Sequence, residues 1–138
     1  MTGRKRHILV DTGGLLVAAT VTPADVPDVD GAYALLPAAK AAAPTLAHVW
    51  ADGGYAGDWA EWAQEEQGVT VEVVRRPPGT TGFAVQPRRW VVERTFAWLS
   101  RHRRLTRDFE RDASSSEALI FLASCHLLLK RLTPAANN

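Results

Sequence analysis

Two acids stand where phosphoryl chemistry could be done. Asp52 closes the apolar run Leu46-Ala47-His48-Val49-Trp50-Ala51 and is followed by Gly53-Gly54-Tyr55. An acid at the C-terminal end of a buried strand has room for a ligand beside it when glycines follow, because they turn the chain sharply and add no side chain. Glu93 lies in Arg88-Arg89-Trp90-Val91-Val92-Glu93-Arg94-Thr95-Phe96-Ala97-Trp98-Leu99, which reads as a helix. Val92, Phe96 and Leu99 fall at i, i+4 and i+7 and form one apolar stripe, with Arg89 one turn before Glu93. Each acid alone has a plainer reading. Glu93 with Arg89 describes a surface ion pair worth about 0.3–0.5 kcal/mol, and Asp52 describes an N-cap at a strand-to-helix turn. Together, two carboxylates beside arginines suit Mg²⁺ (or Mn²⁺), a hard cation that takes oxygen ligands. A pair of such ions about 3.5–4 Å apart polarises a phosphodiester, activates water and stabilises the leaving oxygen.

The charge distribution supports an anionic partner more than the total does. The net charge of the 138 residues is only +1. Between Arg88 and Arg111, however, eight arginines face only Glu93, Asp108 and Glu110. Such a basic block is the footprint expected for nucleic acid, although a solvated helix face has the same composition. Arg88, Arg89, Arg94, Arg101, Arg103 and Arg104 are the candidate DNA contacts; they would hold the backbone, which positions but does not specify. Cys125 is the single cysteine, which excludes an intrachain disulfide, and it reads as a small core residue in an apolar helical run. The apolar run after the basic N-terminus is broken by Asp11, so it does not read as a signal peptide. No stretch of some 18 apolar residues suggests a membrane span. A soluble, cytoplasmic protein is expected.

The elements that must position these acids follow in order. Ile8-Leu9-Val10 and Leu15 to Val21 read as strands joined by the turn Asp11-Thr12-Gly13-Gly14, a hairpin, with Arg4-Lys5-Arg6 preceding the first strand. Asp25 and Asp28 flank prolines and read as turn and cap residues. A helix is expected from about Asp30 to Ala43, kinked or restarted at Pro37. The short buried strand ending in Asp52 comes next, then a helix from Trp59 to Gln67 that Gly68 ends. A strand from Val69 to Val74 and an irregular Pro/Gly loop from Arg75 to Pro87 lead to the Glu93 helix, expected to reach about Arg101. Ser114 and Glu117 fit a capping box for a last helix that runs to about Leu132. His126 on it reads as a packed core residue, and Thr133 to Asn138 as a frayed tail. This is one α/β domain over residues 1–138, ordered from about 3 to 132, with one mixed sheet covered by helices.

The set Gly3-Arg4-Lys5-Arg6-His7-Ile8-Leu9-Val10-Asp11-Thr12, Val21-Thr22-Pro23-Ala24-Asp25, Ala51-Asp52-Gly53-Gly54-Tyr55 and Arg89-Trp90-Val91-Val92-Glu93-Arg94 resembles the catalytic domain of bacterial insertion-sequence DDE transposases, the IS-five-like group. The likeness runs from about Gly3 to Leu132. It implies a ribonuclease H-like fold and Mg²⁺-dependent cleavage and joining of DNA strands. It assigns the second and third acids of the triad to Asp52 and Glu93. The family pattern of Tyr, Arg, Glu and Lys around the third acid is matched at Arg89 and Glu93. Gln86 stands where the Tyr would be and Ser100 where the Lys would be, with Arg101 one place on as a substitute cation.

The resemblance also implies an absence. The family's first Asp sits on a strand before the Gly-Arg-Lys-Arg-His motif, and that strand is central in the sheet. The expectation is therefore a sheet lacking its first strand, two edges that need partners, and metals one carboxylate short. The implied partners are DNA, an upstream half of the same transposase and a homodimer, in a nucleoid-associated setting. The chain alone should bind DNA weakly and cleave nothing. Two rival readings are a stand-alone ribonuclease H-like nuclease, which needs Asp25 or Asp28 to reach Asp52 and Glu93, and a small DNA-binding regulatory protein.

Overall fold

A computed structural model describes residues 3–74, 87–102, 105 and 111–133, with backbone alone for 87–90. The chain opens with an antiparallel hairpin, β1 (Arg4–Val10) and β2 (Leu16–Pro23), paired from Arg4 with Pro23 to Val10 with Leu16. Asp11 makes the turn: its Oδ1 accepts from the backbone N–H groups of Gly13 and Leu15 at 2.8 and 2.9 Å. Gly14 takes a left-handed φ of +83°, which a side chain would resist.

The basic run Arg4-Lys5-Arg6 lies inside β1 rather than before it. Tertiary anchors explain this. Lys5 Nζ donates to the Val26 carbonyl at 2.8 Å and pairs with Asp28 at 3.0 Å, while Arg6 donates to the Leu105 carbonyl at 2.6 Å.

Helix α1 (Asp28–Ala42) follows, with Asp28 and Asp30 in the first turn, where carboxylates complement the helix dipole. It runs through Pro37 as one element. A βαβ unit comes next: β3 (His48–Ala51), a 3-10 turn (Gly53–Tyr55), α2 (Asp58–Gln67) and β4 (Thr70–Val73). Gly68 ends α2 with a φ of +65°, the left-handed stop its position predicts. β4 pairs parallel to β3, His48 beside Thr70 and Ala51 beside Val73. Helices α3 (Pro87–Leu99) and α4 (Ala113–Leu132) complete the described chain.

The expected single mixed sheet is replaced, among the described residues, by two two-stranded sheets, β1–β2 and β3–β4. Both rest on α1. Leu9 of β1 packs into the cluster of Ala32, Leu36, Trp59, Ala63 and Val69 that also takes Val49 and Ala51 of β3. It packs as well beside Ala18, Leu35 and Ala39. The opposite face of the hairpin is covered by α3 and α4 through Ala19, Val21, Leu99, Ile120 and Ala123. The fully buried Leu36 and Ile120 anchor the two sides, each worth about 1.5–3 kcal/mol of burial. β3 is half exposed rather than buried throughout, because helices cover one of its faces.

Three helix expectations are corrected. Phe96 is 36% exposed, and α3 instead buries Leu99 and Thr95, whose hydroxyl is satisfied on the hairpin turn. Cys125 and His126 lie on the exposed side of α4, since Ile120, Ala123 and Ser124 take its packed face. The capping box is absent: Asp112 occupies the cap position without a side-chain cap bond. Glu117 turns to the sheet instead, where its Oε1 accepts from Val21 N at 2.8 Å and Thr20 Oγ1 at 3.1 Å.

Candidate metal and nucleic-acid site

Asp52 sits where β3 gives way to the 3-10 turn. Its Oδ1 accepts from Gly54 N at 3.0 Å, so it caps that turn. A side-chain carbon built on Gly53 would meet nothing within 4 Å, so open space lies beside this corner. Tyr55 packs its ring against Trp59 at 5.5 Å. Burial pushes the Tyr55 hydroxyl up, and the negative charges of Asp28 and then Asp52 push it further, so these two acids share one electrostatic neighbourhood. Asp28 is itself paired with Lys5 at 3.0 Å.

Glu93 is exposed on α3, and the residues after it fix that helix to the hairpin. Thr95 Oγ1 donates to the Gly14 carbonyl at 2.6 Å, and Arg94 Nη2 to the Gly13 carbonyl at 2.8 Å. The Trp98 ring carries the guanidinium groups of Arg94 and Arg131, each 4.6 Å from its centroid. The close approach needs Gly14, where an added carbon would stand 2.9–3.2 Å from Arg94, Thr95 and Trp98.

Of the expected DNA contacts, Arg94 is thus committed to the hairpin turn, and Arg101 is exposed at the end of α3. Arg103 and Arg104, like the Arg75–Gln86 loop, lie outside the described residues, as do the side chains of Arg88 and Arg89. Among the described residues no three His, Cys, Asp or Glu side chains cluster as a metal site. Asp52 and Glu93 offer the hard oxygens that Mg²⁺ takes, but two carboxylates are a short set for it. Trp98 and Arg131 carried no expected role in the sequence, and Glu117 carried only that of a helix cap, not its bonds to β2. Only the i, i+4 spacing of Arg94 and Trp98 signalled their contact. No helix among the described residues is long and apolar enough to cross a membrane.

The family model described as Transposase DDE domain matches residues 1–128. A protein of Burkholderia cepacia named for the transposase of insertion sequence element IS402 is 35% identical over 130 residues. The match covers 89% of this chain and 61% of that relative, so the chain spans about three fifths of the relative's length. No solved structure matches.

Proposed function

Because the chain belongs to the Transposase DDE domain family, we propose that it is the part of a bacterial insertion-sequence transposase, of the IS-five-like group, that carries the second and third catalytic acids. Asp52 and Glu93 would hold Mg²⁺ (or Mn²⁺), which when bound would supply the Lewis acid that polarises a DNA phosphodiester and activates water. Asp52 is suited to this by its seat at a strand end beside the open space at Gly53. Glu93 is suited by its seat on a helix whose next turn is bonded to the hairpin. Arg88, Arg89, Arg101, Arg103 and Arg104 hold the DNA backbone, and the reaction takes place on DNA in the bacterial cytoplasm.

The observation that carries this reading further is the divided sheet. β1 and β3 contribute Leu9, Val49 and Ala51 to one core over α1, yet among the described residues neither strand pairs with the other. An extended segment between them would join the two halves into the mixed sheet of a ribonuclease H-like fold. On this reading that segment brings the missing acid and belongs to an upstream part of the same transposase. The 138 residues are then inactive alone.

The test uses transposon-end DNA. The longer polypeptide should cut it in Mg²⁺, and Asp52→Asn or Glu93→Gln should each lower the rate by about 100-fold or more, beyond the roughly 10–100-fold that loss of a ligand's supporting partner costs. The 138-residue chain should not cut it. Cleavage by the chain alone, or a longer polypeptide indifferent to both substitutions, overturns the reading. A second readout is Mn²⁺-induced line broadening, which should reach the amides of both Gly53 and Arg94.

A further inference from the structure

We propose that the cleft between the end of α3 and the C-terminal half of α4 binds a phosphate of the DNA backbone. This rests on the transposase reading and adds to it a contact through α4 that the reading does not use. The cleft has a volume of about 330 Å³, at the small end of the range for ligand sites. Its floor is apolar, with Leu99, Ala123 and Leu127. Its wall carries Trp98, Arg101, His102, His126 and Lys130, and no carboxylate is among the described residues that line it. The imidazoles of His102 and His126 meet edge to face, with ring centroids 5.4 Å apart.

That combination selects the ligand. Arg101 offers the forked donors that match phosphate oxygens, and Lys130 offers a point charge. His126 and Lys130 stand one turn apart on the exposed side of α4, so both reach the same mouth. Trp98 closes one side of the cleft. Its ring already carries Arg94 and Arg131, which extend the cationic surface beyond the cleft. A metal ion is the poorer fit, because the imidazole pair has no third His, Cys, Asp or Glu beside it among the described residues. The rival is structural: cations at a helix C-terminus also answer its dipole.

The experiment follows the imidazole resonances of the 138-residue chain during titration with a 20-base-pair duplex. His102 and His126 should shift. His7, buried under α1, and His48, bound to Glu72 at 2.9 Å on β3–β4, should not. The double variant His126→Ala with Lys130→Ala should keep its circular dichroism, bind the duplex about 3–10-fold more weakly and lose about one unit of salt slope. His48→Ala should bind as the unaltered chain does. Binding of the duplex without shifts at His102 and His126 overturns this site and leaves the transposase reading standing. Shifts with inorganic phosphate but none with the duplex assign the cleft to a small anion and also overturn it. A chain that binds no duplex under any salt condition overturns both.

Discussion

The ring of His7 lies so close beneath Gly31 that a carbon added at Gly31 would stand 2.6 Å from its Cε1 and Nε2 atoms. This is a close crossing of β1 and α1, and glycine is what permits it. Gly31→Ala should gain up to about 1 kcal/mol of helix propensity but lose about 1–3 kcal/mol to overpacking, because the ring is held from below. Its Nε2 is bonded to Thr22 Oγ1 at 2.7 Å. A net fall in the urea midpoint is expected. Adding His7→Ala should recover part of it, so the two changes should be non-additive.

The same burial sets a pH dependence. Desolvation lowers the His7 pKa below its ordinary 6.5, with Lys5 adding to the fall and Asp28 opposing it. The folded chain therefore takes up a proton less readily than the unfolded one. Between the lowered folded value and about 6.5 the unfolded state binds more protons, so stability rises with pH across that window and is lost as the pH falls through it. Urea titrations between pH 5 and 7 should show this slope, and it should be smaller in His7→Asn.

Thr95 ties α3 to the hairpin through a buried hydroxyl. Thr95→Val keeps the shape but removes the bond to the Gly14 carbonyl. The expected cost is about 1–3 kcal/mol, the range for a buried polar group left unsatisfied. Amide exchange at Gly13, Gly14 and Leu15 should quicken, while the β3–β4 unit should not respond. Equal exchange at the turn in both chains would mean that Arg94 and Trp98 hold it alone.

Glu117 offers another discriminating pair. Glu117→Ala strips Val21 N and Thr20 Oγ1 of their acceptor and should cost about 1–3 kcal/mol. Glu117→Gln keeps an oxygen in place and should cost clearly less. Were Glu117 acting only through its charge on the helix dipole, the two would differ little, and thermal unfolding of both variants decides it.

Local signals in the sequence located most elements. Gly68 stopped α2, and Asp11 made the hairpin turn. What sequence could not show was which neighbour each face would meet. Phe96 and Thr95 both fall at helical spacings from Leu99, and the Gly14 carbonyl decided for Thr95. Glu117 fitted a cap three residues after Ser114, but the outer edge of β2 offered it a backbone N–H. Asp52 was legible as an acid closing a strand and Glu93 as an acid on a helix. The cleft at His102 and His126 was not, because it forms between two helices whose contact no local pattern encodes.

The divided sheet has a cost when this polypeptide is concentrated. Glu117 covers the outer side of β2 at Val21, so that flank is closed to newcomers. The flanks of β1 and β3 turned away from their partners have no strand on them among the described residues, and such rows of amides and carbonyls template pairing between molecules. Growth would therefore start from these flanks or from the outer flank of β4, which likewise carries no strand among the described residues. Inclusion bodies on overproduction, and their relief by a soluble strand-forming peptide, would be the visible mark of these open flanks.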